Sequence, residues 1–196
     1  MNMARDEIYL ARKRFFNDHA DKWIDMWYKD HSSGRYDKHA KDFARLFSLA
    51  PLKQKDTVLD VGCGTGILVP FVLERIGVSG TIYEMDFAEK MIENNRNIHK
   101  QPNIKFLIAD AENTPLDDNS CDVVIVVAHF DSSEGINKHH RSCHAVMHDH
   151  LPDKASMYDI FEKVGLDINH FIDEAGFYCI IAKKDVCDII FNNDIP

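Results

Sequence analysis

The sequence predicts an α/β protein: a doubly wound, mostly parallel sheet behind an α-helical N-terminal extension. Three observations carry this. Short apolar runs alternate with amphipathic stretches about three turns long, the pattern of a parallel sheet covered on both faces. The stretch "TVLDVGCGTGILVPFVLERIG", residues 57–77, sets three glycines at the junction of one such run and one such stretch. The first 50 residues carry no strand pattern but place aromatics at helical spacing.

The elements follow in order. Residues 4–28 read as one helix with Tyr9, Phe16, Ala20, Trp23 and Trp27 on one side. "KDHSSGR" breaks it, and 36–50 reads as a second helix that ends before Pro51. "TVLDVG" is a short buried strand. "ILVPFVLERIG" is a helix with Pro70 near its start and Gly77 just past its end. "GTIYEMD" and "AEKMIENNRNIH" form the next strand and helix, and "IKFLIAD" and "CDVVIVVAHF" a third and a fourth strand. A helix near 153–164 and strands near 167–173 and 177–183 close the chain, the "EAG" between the strands suiting an antiparallel hairpin. This divides the chain into a helical extension (1–50), an α/β domain (51–184) and a tail (185–196).

Composition narrows the function classes. With 196 residues, 45% of them apolar, the chain supports one sizeable core. No apolar run is long enough to span a membrane, and the charged N-terminus lacks a signal-peptide core. The five cysteines form no CxxC pair and no even framework, so they read as thiols of a cytoplasmic protein. A formal charge of -9 argues against a broad nucleic-acid surface.

Gly62, Gly64 and Gly66 sit where a strand turns into a helix, the place where open α/β sheets bind ligands. A dinucleotide fingerprint needs a third glycine where Ile67 stands. Asp60, just ahead of the turn, also disfavours a pyrophosphate. A cationic ligand bearing a ribose fits better. Asp86, at the end of the second strand, is spaced to accept both ribose hydroxyls. The competing reading makes Asp86 a helix cap in a capping box with Glu89. Asp110, ending the third strand, is placed to meet a base amino group.

"VLDVGCGTG", "YEMDFAEKMIENN" and "IADAENTPLDDNSCDVVI" resemble successive motifs of the class I S-adenosylmethionine-dependent methyltransferases. The nearest flavour is the small-molecule group that includes the ubiquinone and menaquinone methyltransferases. "RFFNDHADKWIDMWY" is similar to the lid helix of that group. The resemblance spans roughly residues 12–128, then "FEKVGL" and "FYCIIAKK". It implies a Rossmann-like fold and S-adenosylmethionine as cofactor. Asp60 and the backbone of Gly62, Cys63, Gly64, Thr65 and Gly66 would face its methionine part. Asp86 would bind the ribose, Asp110 and Ala111 would flank the adenine, and Phe87 completes the set.

The second half departs from that pattern. The group follows its fourth strand with a helix, a glycine turn, a fifth strand and another helix. Here "VVAHFDSSEGINKHHRSCHAVMHDHLP" is too short for such a unit, so fewer than seven strands are expected. The apolar strip left near "VVIVV" would be covered by 136–147, the tail or a second subunit, which makes a homodimer a candidate. His140, His144 and His148 recur every four residues, aligned on one face if helical. A solvated helix, a wall of the acceptor pocket and a metal site compete, and no metal is expected. His140, His144 and His129 are candidate general bases. Phe16, His19 and Trp23 on the lid are candidate acceptor contacts, against the plainer reading of a buried stripe. Three functions remain: a small-molecule methyltransferase, a degenerate protein that binds S-adenosylmethionine or S-adenosylhomocysteine without turnover, and a nicotinamide-dependent oxidoreductase.

Overall fold

The computed structural model describes residues 5–36, 38–50, 52–126, 131–143, 146–147 and 149–184. The chain opens with α1 (Arg5–His19), a 3-10 turn at Ala20–Lys22, and α2 (Trp23–Trp27). The single helix expected over 4–28 is thus tightened at its centre. The cause is tertiary: Ala20 is buried against Ala88 and Met91, and Asp21 accepts a hydrogen bond from Asn94. Next come α3 (Ala40–Leu49), β1 (Thr57–Val61), α4 (Val69–Ile76), β2 (Thr81–Asp86), α5 (Glu89–Ile98), β3 (Ile104–Ile108) and β4 (Val123–Val126). Pro70 lies in the first turn of α4, where its missing N–H costs nothing, and Gly77 ends that helix at φ +69°.

The four strands form one parallel sheet in the order β3-β2-β1-β4. Val58 is in register with Ile82 and Val123, and Asp60 with Glu84 and Ile125. Side chains in register share a face, so Val58, Ile82, Ile104 and Ile125 line one face together. Phe43 and Phe47 of α3 and Val69, Val72 and Ile76 of α4 close that face into the main core. Each such side chain removed from water contributes about 1.5–3 kcal/mol.

Beyond β4 come α6 (Ser133–Ser142), α7 (Lys154–Lys163), β5 (Leu166–Glu174) and β6 (Phe177–Lys184). The last two strands pair antiparallel around a tip that holds Gly176 at φ +83°, as the "EAG" turn implies. The hairpin does not extend the parallel sheet. It forms a separate two-stranded ribbon, so the described residues hold six strands in two sheets. Tyr158 of α7 stacks on Phe171, and Arg45 of α3 lies 4.3 Å over the Phe177 ring and pairs with Glu174. β4 is therefore an edge strand among the described residues, with Val124 58% and Val126 70% exposed. The described residues of the 136–147 segment, one of the three covers expected, leave them exposed, and the 185–196 tail, another, lies outside the described residues. No described helix is long and apolar enough to cross a membrane.

Candidate functional site

The glycine turn begins where β1 ends. The N–H groups of Gly62 and Cys63 both donate to the Met85 carbonyl, at 2.8 and 3.1 Å, so the turn hangs from β2. Gly66 N–H then donates to the Cys63 carbonyl at 3.0 Å, closing it toward α4. All three glycines have positive φ (+70°, +54° and +82°), a region other residues enter only at a cost. Their surroundings differ. A Cβ on Gly62 would meet nothing within 4 Å, and one on Gly64 would meet only the Trp23 indole, at 3.4 Å. A Cβ on Gly66 would collide with the Asn95 carboxamide at 2.4 Å. The first two glycines leave the backbone open for a ligand, and the third lets the turn sit on α5.

Three acids gather beneath the turn. Asp86 accepts from Gly64 N–H through Oδ2 at 3.0 Å and from Ala88 N–H through Oδ1 at 2.9 Å. It thereby couples the turn to the start of α5. The capping-box alternative does not hold: Ala88 is the N-cap, and Glu89 instead meets Lys13 and Asn17. Burial pushes the Asp86 carboxyl upward, and the backbone donors of Ala88, Gly64 and Phe87 oppose it. Asp60 is buried, and desolvation with neighbouring Glu84 and Asp86 raises it well above the usual carboxylate range. Glu84 is fully buried and accepts from Asn95 Nδ2 at 2.6 Å; desolvation lifts it to about 7. The Cys63 thiol is pushed up by burial and by the same acids, which keeps it protonated and unreactive. Thr65 is buried, and its Oγ1 has no hydrogen-bond partner among the described residues.

Asp110 lies differently from the expectation. β3 ends at Ile108, and Asp110 caps a 3-10 turn at Ala111–Asn113 by accepting from Glu112 N–H at 2.9 Å. It stays at the same sheet end as Asp86, because Ala109 N–H donates to the Asp86 carbonyl at 3.1 Å. Ala111 is exposed. Phe87 meets Tyr9 and Phe16 of α1, ring centres 5.6 and 5.7 Å apart.

The lid candidates come together in part. Phe16 and Trp23 pack edge to face at 5.4 Å against the Ala20–Ala88–Met91 cluster, so both are structural as well as close to the turn. Trp23 reaches Gly64. His19 turns back onto its own helix, with Nδ1 2.8 Å from the Phe15 carbonyl and its ring 4.2 Å from Phe15. Of the histidine candidates, His140 is in α6, with Nδ1 2.6 Å from the Asp149 carbonyl. A carbonyl can only accept, so Nδ1 carries the proton and the basic nitrogen is Nε2. α6 ends at Ser142 and Cys143 is extended, so the helix that would align His140 with His144 and His148 is interrupted. The interruption has a cause: both sides of the Asn137 carboxamide bond the backbone of Leu151 and fold the following segment back. His129, His144 and His148 lie outside the described residues. Among the described residues, no three His, Cys, Asp or Glu side chains gather to hold a metal ion.

The residues at the turn suit a cationic, ribose-bearing molecule. Open backbone at Gly62 and Gly64, an orphaned hydroxyl on Thr65 and an acid at the end of β2 lie within a few residues of one another. Sequence reasoning missed four residues that matter here. Arg12 and Asn17 tie α1 to Asp149 and to the first turn of α5, and Glu84 and Asn95 sit under the turn. Only Glu84 left a signal, as a charge in the middle of an otherwise apolar strand.

Residues 58–150 match the family described as Methyltransferase domain. Among curated proteins, the chain is 38% identical over 104 residues to a malonyl-[acyl-carrier protein] O-methyltransferase of a Marinomonas species, covering 48% of this chain and 37% of that one. It is 35% identical over 86 residues to a 2-phytyl-1,4-naphtoquinone methyltransferase of Nostoc punctiforme, covering 42% and 36%. The chain thus spans little more than a third of the length of these relatives. Among solved structures, an S-adenosylmethionine-dependent methyltransferase from Aquifex aeolicus superposes with a TM-score of 0.56 at 21% identity, covering 84% of this chain and 95% of that one. A magnesium protoporphyrin IX methyltransferase from Synechocystis, solved with bound S-adenosylmethionine, gives 0.56 at 19% identity, covering 93% and 98%. At these identities the superpositions show the fold.

Proposed function

We propose that the chain, whose residues 58–150 match the Methyltransferase domain family, is a class I S-adenosylmethionine-dependent methyltransferase that transfers a methyl group from S-adenosylmethionine to a small-molecule acceptor. The observation that carries this reading is the glycine turn: two open backbone positions tied through Gly64 to a buried Asp86. The bound cofactor supplies an activated methyl group on sulfur. The protein's own task is to hold, align and dry the reactants, which accounts for much of the acceleration in such a transfer. In this reading Gly62 and Gly64 admit the methionine end and Thr65 offers its hydroxyl. Asp86 uses its remaining lone pairs for the ribose, and Asp110 lies toward the base. Phe16 and Trp23 exclude water from above, and His140, through Nε2, takes a proton where the acceptor arrives protonated. The curated relatives' names, which specify a malonyl-[acyl-carrier protein] and a 2-phytyl-1,4-naphtoquinone, support a non-nucleic-acid acceptor.

The test is calorimetric titration with S-adenosylhomocysteine and, in parallel, NAD, followed by turnover on a panel of acceptors. Binding of the first ligand, loss of that binding in Gly64→Val, and methylation of an acceptor are expected. Binding of NAD alone would return the chain to the oxidoreductases. One observation favours a second reading, a binding protein without turnover: β4 is left as an edge, with the last two strands in a separate ribbon. S-adenosylhomocysteine binding with no acceptor methylated would select it.

A further inference from the structure

A carboxyl and a carboxamide lie buried behind the glycine turn, where neither touches the expected ligand. Glu84 and Asn95 are both 0% exposed. Burying an amide and an acid is costly unless their polar atoms are used. Asn95 uses Nδ2 twice, toward Glu84 Oε2 at 2.6 Å and toward Cys63 Sγ at 3.6 Å. Its carboxamide also fills the space that a Cβ on Gly66 would need. Cys63 and Gly66 bracket Gly64 and Thr65, so the turn rests on this one side chain at both ends. His99, one helical turn further along, hydrogen-bonds the Gly66 backbone.

We propose, building on the cofactor reading above, that Asn95 is a positioning residue: with Glu84 behind it, its carboxamide holds the glycine turn in the shape that the methionine end of the cofactor requires. Glu84 Oε1 and Asn95 Oδ1 have no hydrogen-bond partner among the described residues, and a proton on Glu84 would turn its carboxyl into a donor. The ionisable groups facing the pair are Asp60 from β1, Cys63 from the turn, Asp86 from β2 and His99 from the end of α5. Two are acids, one a thiol and one a histidine lowered by its own burial, so none of them supplies a fixed positive charge that would hold Glu84 ionised.

The experiment compares wild type with Asn95→Leu, Asn95→Asp and Glu84→Gln. It reads S-adenosylhomocysteine affinity by calorimetry and amide exchange of the 62–68 peptide in ligand-free protein. Asn95→Leu removes both hydrogen bonds, so exchange in the turn quickens and affinity falls roughly tenfold or more. Asn95→Asp sets two carboxyls against each other, which share a hydrogen bond only while one is protonated. Its affinity stays within about threefold of wild type near pH 5.5 and falls roughly tenfold near pH 8.5. Glu84→Gln keeps an acceptor for Asn95 and binds within about threefold of wild type at both values. A merely structural role would not produce the pH dependence of Asn95→Asp. Affinity and turn exchange equal to wild type in folded Asn95→Leu and Asn95→Asp would overturn the proposal. If Asn95→Leu does not fold, the Asp variant decides. A wild type that does not bind S-adenosylhomocysteine overturns the proposed function instead, and the exchange measurement then decides whether Asn95 braces the turn.

Discussion

From Thr57 to Ile108 the molecule is held by ladders. Three parallel strands pair through consecutive registers, and α3 and α4 close one face over them. β4 joins the same sheet through its ladder with β1, but from Ser133 onward the elements are fastened to the rest by side chains. The ribbon of β5 and β6 is fastened by Arg45 on Glu174 and Phe177 and by Ser133 on Asp173. The α6 region is fastened by Arg12 on Asp149 and Trp27 against His139. Exposed side-chain tethers are individually weak, whereas a paired strand buried on one face gains from every residue. The half that would receive the cofactor is rigid by construction. The half that would receive the acceptor is adjustable, and substitutions should be costly in the first and mild in the second.

The hardest test of that contrast is Gly66→Val. The substitution places a β-branched side chain at φ +82° and drives its Cβ into the Asn95 carboxamide. Backbone strain and overpacking together should cost roughly 2–5 kcal/mol, read as a shift in the denaturant midpoint. Wild-type stability would mean that the turn is not rigid.

Next in size is a pH effect from the same region. Glu84 keeps its proton up to about 7 in the folded protein, against 4.5 for an exposed glutamate. Between those values the native state binds more protons than the unfolded chain, so stability present below about 4.5 is lost as pH rises through 7. The loss is on the order of 3 kcal/mol, and Glu84→Gln should flatten it. Denaturation of both proteins near pH 5 and near pH 8 checks this, and parallel slopes would exclude Glu84 as the source.

Asp86→Ala should weaken S-adenosylhomocysteine binding by about 1.5–3 kcal/mol, the worth of hydrogen bonds to a charged group. Unchanged affinity in the folded variant would remove Asp86 from the ligand set. The smallest effect is expected in the other half. Arg45→Ala should loosen the 166–184 ribbon in hydrogen exchange while leaving cofactor affinity unchanged. A loss of affinity there would show that the two halves are mechanically linked after all.

The same contrast governs what could be read from sequence. β1 through α5 were legible because each is an uninterrupted periodic run ended by glycine, proline or aspartate, signals that act within a few residues. The hairpin was legible for the same reason, through its "EAG" turn. What failed was set by distant partners. The break at Ala20–Lys22 depends on Ala88 and Met91, and the end of α6 at Ser142 depends on Leu151 bonding Asn137. Asp110 is the local exception: it lies two residues past its strand and caps the turn that follows, through Glu112 N–H. That the ribbon stands apart from β4 is a matter of edge pairing, which no local pattern encodes. At the site, the turn and Asp86 announce themselves by spacing. Glu84 and Asn95 are a pair only once α5 lies across β2.

Asn17 holds a residue 73 positions later in the chain, through the Lys90 backbone, and Arg12 one 137 positions later, at Asp149. Helix α1 therefore leaves the ribosome well before the elements it docks on. Until Phe87 and α5 have emerged, Tyr9 and Phe16 have no surface to cover, and contacts closed over such long loops form slowly. That interval is when the nascent chain most exposes its aromatic residues to chaperones or to other chains.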